Sequence, residues 1–103
     1  MVKHIVLFSY EKELDSPEIM ELHQRFCALP GIIPEISGFE SGMDISVEGI
    51  SRGYTMSYVL SFKGCEERDR YLVHPSHKEF SEFAGPFLKD VLVFDYDAEV
   101  ILT

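Results

Sequence analysis

Basic residues are scarce in this chain. Nine Lys and Arg stand against eighteen Asp and Glu, a formal charge of −9. That sign repels phosphate backbones and excludes sequence-independent nucleic-acid binding. It disfavours an anionic lipid surface for the same reason. Long apolar runs are also missing: none approaches the ~20 residues of a membrane span. The run Val2–Phe8 is too short for a secretory h-region and lacks a small-residue cleavage site, so a cytoplasmic protein is expected. Cysteine is limited to Cys27 and Cys65, with no second Cys or His at metal-finger spacing. No disulfide is expected, and Cys27, beside a helical stripe, reads as a buried small hydrophobe with no base next to it in sequence. Glycine-rich phosphate loops, a G-x-S-x-G elbow and an H-E-x-x-H pair are all absent. So are repeats, low-complexity tracts and linkers. Residues 1–103 therefore read as one domain, and 46% hydrophobic residues suffice for a packed core.

What is present is a regular alternation of elements. Val2–Ser9 reads as a strand apolar on both faces, hence central. Ser16-Pro17 supplies an N-cap and a first helical residue. Ile19, Leu22, Phe26 and Leu29 then repeat at helical spacing, predicting a helix over 17–29 that Pro30-Gly31 stops. Gly38–Asp44 reads as a second strand and Val47–Gly53 as a loop. Tyr54–Phe62 alternates strictly: Met56, Tyr58, Leu60 and Phe62 face one way, and Thr55, Ser57, Val59 and Ser61 the other. Glu66–Leu72 is a short helix. Pro75 restarts a second one with the stripe Phe80, Phe83, Ala84, Phe87 and Leu88, bent at Gly85-Pro86. Asp90–Asp97 is the last strand, and Ala98–Thr103 would continue as an extended arm.

The order β-α-β-β-α-β is the ferredoxin-like α+β pattern, an antiparallel sheet with the helices on one face and the first and third strands central. Its other face would show Ile5, Leu7, Val59 and neighbours. An apolar patch of that size is rarely left in water, and the small Thr55, Ser57 and Ser61 suit sheet-on-sheet packing. A homodimer through the sheet faces is therefore expected.

Histidine is the usual acid–base candidate near neutrality. His4 lies among Val2, Val6 and Phe8, and reads either as a satisfied core residue or as a polar group lining a pocket. His23 borders the first helical stripe. Tyr71-Leu72-Val73-His74-Pro75-Ser76-His77 places a phenol and two imidazoles within one short joint. Tyr71 and His77 suit proton transfer with oxyanion stabilisation. The same segment also reads as structural, with His74 capping the restarted helix. His74 and His77 are three apart, but no carboxylate in the segment completes a ligand set, so no metal and no cofactor are expected. Asp95 and Asp97, near the chain end, read as solvated.

Five segments together carry a resemblance: Val2–Phe8, Ala28–Pro34, Gly53-Tyr54-Thr55, Tyr71–His77 and Val93–Tyr96. In order and spacing they resemble the stress-responsive dimeric α/β-barrel (Dabb) domain family over nearly the whole chain. The resemblance implies a ferredoxin-like fold and a dimeric barrel. For a polyketide-cyclising member it implies a cofactor-free intramolecular aldol condensation carried by a Tyr and a His of the Y-x-x-H-P-x-H motif. The matching residues are His77 as general base and Tyr71 as oxyanion donor, with His4 also matching. The implied substrate pocket would be lined by His4, His23, Phe26, Met56, Tyr58, His74, Phe83, Leu88, Val91 and Val93. Met56, Tyr58 and His23 depart from that member's pattern, where a histidine, a small residue and an aromatic stand. They crowd the cavity and argue against a long-alkyl polyketide. The competing expectations are a cyclase, isomerase or lyase acting on a small carbonyl compound, and a non-catalytic homodimer that binds a small apolar ligand. A cofactor-free monooxygenase on the same barrel is weaker still, because fold alone does not carry function.

Overall fold

A computed structural model describes residues 1–98. The chain-end arm expected over Ala98–Thr103 lies, from residue 99 on, outside the described residues. Seven main elements follow one another: β1 (Val2–Tyr10), α1 (Pro17–Ala28), β2 (Gly38–Met43), β3 (Met56–Phe62), α2 (Cys65–Val73), α3 (Pro75–Ala84) and β4 (Leu88–Asp97). Single 3-10 turns at Leu29–Gly31 and Gly85–Phe87 finish α1 and α3. The sheet order is β2-β3-β1-β4 with every neighbour antiparallel, so β1 and β3 are central.

Local signals set the helix ends. The Ser16 side chain accepts from the Ile19 backbone N–H and Pro17 opens the first turn of α1. α2 and α3 break at His74, whose extended backbone is what a following proline favours. Two differences from the sequence reading have backbone causes. β3 begins at Met56 rather than Tyr54, because Arg52 and Gly53 turn through positive φ before it. β4 begins at Leu88 rather than Asp90, because a register shift at Ser9/Tyr10 lets Tyr10 pair with Leu88.

All helices lie on one face. The side chains β1 sends there, Val2, His4, Val6 and Phe8, are buried, as are Tyr58, Leu60 and Phe62 of β3. They pack on Leu22 and Phe26 of α1, Tyr71 of α2, and Phe80 and Ala84 of α3. Phe26 is the hub: its ring stacks on Tyr58 at 4.2 Å and meets Phe80 at 4.6 Å. The stripe leaves Cys27 off its axis. The thiol is exposed, which corrects the reading of Cys27 as a buried hydrophobe. On the far face β4 sets Leu92 beside Leu7 and Phe94 beside Ile5, with Phe94 59% exposed.

Candidate active site

Cross-strand register builds the polar end of a cavity. Directly opposed residues of antiparallel strands point to the same face. β1 and β4 therefore place Phe8 beside Val91, Val6 beside Val93 and His4 beside Asp95, all toward the helices. Neither α2 nor α3 covers this half of the sheet completely, and a cavity of about 450 Å³ remains. Its walls are mostly apolar: Phe26, Phe80, Leu88, Val91 and Val93 among them. Four groups able to exchange or hold protons converge at one end: His4, Tyr71, His77 and Asp95.

His77 sits in the first turn of α3. Its Nδ1 lies 3.2 Å from the Leu72 carbonyl oxygen. A carbonyl can only accept, so Nδ1 carries the proton and Nε2 keeps its lone pair. Burial pushes the imidazole below its ordinary value, with the nearby His4 and His74 acting in the same direction and the Leu72 contact opposing. His77 is thus a neutral base at pH 7. Tyr71 is 1% exposed, with its ring 4.4 Å from that of His77 and 5.8 Å from that of His4. Burial alone drives its phenol well above the usual range, so it holds its proton and can only donate to a substrate oxygen near neutrality.

His4 is tied down from behind. Its Nδ1 lies 2.6 Å from Asp95 Oδ1, and Asp95 Oδ2 takes a hydrogen bond from Arg68 at 3.0 Å. Arg68 also donates to Asp69 at 2.9 Å. The carboxylate accepts the Nδ1 proton and fixes the ring. Asp95 is therefore not solvated as the sequence reading had it; only Asp97, beside the amino terminus, is exposed. Arg68 is the residue of this end that sequence reasoning did not name, and Asp95 was named only as a solvated carboxylate. The alternation Asp95/Asp97 was a signal, but strand partners 91 residues apart are not visible in a sequence.

The remaining candidates divide by place. Phe26, Leu88, Val91 and Val93 line the cavity with His4, Tyr71 and His77. His23 and Met56 line a different hollow of about 320 Å³. Tyr58 is fully buried and fills the space between, its hydroxyl 2.7 Å from His23 Nδ1. Phe83 packs on Phe87 with the Arg25 guanidinium over its ring. His74 caps α3, its Nδ1 accepting from the Ser76 N–H at 3.0 Å. Among the described residues no three His, Cys, Asp or Glu side chains are placed to share a metal ion, and no helix is long and apolar enough to cross a membrane.

A family model described as the stress responsive A/B barrel domain matches residues 2–98. The stress-response A/B barrel domain-containing protein HS1 of Arabidopsis thaliana is 34% identical over 95 residues, covering 92% of this chain and 87% of that protein. Olivetolic acid cyclase of Cannabis sativa is 27% identical over 95 residues, covering 92% and 94%. The solved hydroxynitrile lyase of Passiflora edulis superposes with a TM-score of 0.89 at 24% identity, covering 99% and 96%.

Proposed function

The chain belongs to the stress-responsive A/B barrel (Dabb) domain family, and from that premise we propose that it is a homodimeric enzyme of acid–base type, a cyclase, isomerase or lyase acting beside the carbonyl of a small neutral compound. The observation that carries this reading is the pairing of a bare, neutral His77 Nε2 with a protonated Tyr71 at the wall of one apolar cavity. His77 Nε2 removes a proton α to the carbonyl. Tyr71 donates to the enolate oxygen that develops. The electron pair on carbon then attacks a second carbonyl, takes back a proton elsewhere, or expels a leaving group. His4, held by Asp95, supplies a fixed imidazole at the same end. A neutral substrate is favoured because Arg68, the cation that reaches Asp95 at the cavity's polar end, is already engaged by Asp95 and Asp69. Relatives that include a cyclase and a hydroxynitrile lyase are compatible with carbonyl chemistry.

The homodimer rests on the open sheet. Among the described residues, four strands with β2 and β4 at the edges do not close a barrel, and the face away from the helices shows Leu92, Phe94 and Tyr96 to solvent. A second copy laid on that face covers it.

The test is deuterium exchange into neutral 1,3-diketones, followed by NMR. Wild-type protein accelerates exchange over buffer. His77→Ala loses about 10²–10⁴-fold of that acceleration, and Tyr71→Phe loses a large part of it. A second reading has its own support: His74 caps α3 and His77 ties to the Leu72 carbonyl, so the segment is also a structural joint. If wild type and His77→Ala exchange alike while the variant melts lower, the joint reading of a non-catalytic ligand-binding homodimer replaces the enzyme.

A further inference from the structure

Two hollows adjoin on the helix side of the sheet, and one ring stands between them. β1 sets His4, Val6 and Phe8 in a row along the cavity of about 450 Å³, with the proton-exchanging groups at the His4 end. The register of β3 puts Tyr58 directly beside Val6 and Met56 directly beside Phe8. Opposed side chains share a face, so all four point toward the helices. Met56 lines the second hollow, of about 320 Å³, together with Leu14, Met20 and Met43. Helix α1 crosses the same boundary: Phe26 lines the first hollow, and His23, three residues earlier, lines the second. The boundary therefore falls on Tyr58.

Tyr58 is held at both ends. It is 0% exposed. Its ring stacks on Phe26 at 4.2 Å between centroids and meets Phe8 at 5.5 Å. Its hydroxyl is joined to His23 Nδ1 by a hydrogen bond of 2.7 Å. Swinging the ring aside would undo the aromatic contacts and strand a buried hydroxyl without a partner. A ligand tail that reaches Phe8 and Phe26 thus meets a backed wall, not a movable lid.

We propose that Tyr58 is a partition that sets the length of the compound the cavity accepts, confining it to carbonyl compounds with short chains. This rests on the carbonyl chemistry proposed above, which places the ligand oxygen beside Tyr71 and His77. The rest of the ligand runs past Val93 and Val91, in register with Val6 and Phe8, and stops at Phe8 and Phe26. When Tyr58 is cut back to Ala, those two rings lose the ring behind them. The second hollow then becomes continuous with the first, and its apolar walls accept a longer tail.

The probe is a series of neutral 1,3-diketones, acetylacetone and homologues lengthened at one end by single methylenes, with affinity read by NMR titration. In wild type, affinity rises with length and then falls about tenfold at the first methylene that passes the wall. Tyr58→Ala moves that limit outward by several methylenes. Tyr58→Phe, which keeps the ring, leaves it in place. In wild type a bound tail gives nuclear Overhauser contacts to Val93 and none to the Met56 methyl, a measurement that decides the matter should Tyr58→Ala fail to fold. Equal length profiles in wild type and Tyr58→Ala overturn the proposal. So does a wild type that binds no homologue, shows no length limit, or lets one tail touch both Val93 and Met56. Binding needs no proton transfer, so the two readings fail separately: lost exchange with the limit intact removes only the enzyme, and exchange without a limit removes only the partition.

Discussion

His4 and Asp95 show what a single residue contributes here. A buried imidazole whose proton is fixed on Nδ1 by a carboxylate has one orientation and one tautomer. Removing the carboxylate strands His4 in the core and frees Arg68 on one side. A hydrogen bond to a charged group is worth about 1.5–3 kcal/mol. Asp95→Ala is therefore expected to lower stability by about 2 kcal/mol, measured by urea denaturation, and to reduce diketone exchange with it. Unchanged values of both would show that the contact carries nothing. His77 gives a pH prediction. Its folded value is depressed below the ordinary 6.5. The unfolded chain therefore takes up the proton first, and the stability tied to neutral His77 is complete above about 6.5 and lost as pH falls through the lower folded value. Exchange activity follows the same limb, because only neutral Nε2 is a base. In a pH titration the acidic limb of the rate lies below 6.5 in wild type. A limb above that value would assign the base to another group.

At the scale of elements, much was legible and the exceptions have physical reasons. The helical stripe of α1, the strict alternation of β3 and the restart at Pro75 each depend on neighbours within a few positions. They place the elements within one or two residues of the observed bounds. Of the two strand starts that moved, Leu88 was set by distant pairing opposite Tyr10 and Met56 by the positive-φ turn at Arg52 and Gly53. The same division runs through the candidate site. Tyr71 and His77 come from one segment, and their closeness could be read from it. Asp95 could not, because its place beside His4 is set by the register of strands at opposite ends of the chain. Cys27 was misread for a different reason: it follows Phe26 by one position and so turns off the buried stripe of the helix, where its thiol is exposed. The α2–α3 joint tests the separation between structure and chemistry. His74 satisfies a backbone donor of α3 and does not line the cavity. Losing such a cap costs about 1 kcal/mol. His74→Ala is expected to lower stability by about that amount and to leave the exchange rate at saturating diketone unchanged. A large loss of rate with normal stability would instead bring His74 into the chemistry.

At the scale of the molecule, an open sheet leaves one face uncovered. The helices bury one side of β1 and β3 in the core. The other side carries Ile5, Leu7 and Val59 in the centre, with Leu92, Phe94 and Tyr96 along β4. Burying apolar surface contributes roughly 25 cal/mol per Å², so a face of this composition gains from a second copy. Small residues opposite one another, such as Ser57 beside Gly42, leave room for a facing sheet to approach. The charge of −9 sets a limit, because two copies double it, and repulsion outside the apolar patch weakens as salt screens it. Dimerisation is therefore expected to strengthen with ionic strength, and Tm is expected to rise with protein concentration, as it must when assembly and folding are linked. Phe94→Glu places a charge on the patch beside Ile5 without touching the cavity, whose walls come from the opposite face. Light scattering at micromolar concentration should give a dimer for wild type and a monomer for Phe94→Glu. The concentration dependence of Tm should vanish in the variant. A monomeric wild type with a concentration-independent Tm would leave the apolar face without its partner and remove the barrel from the description of this chain.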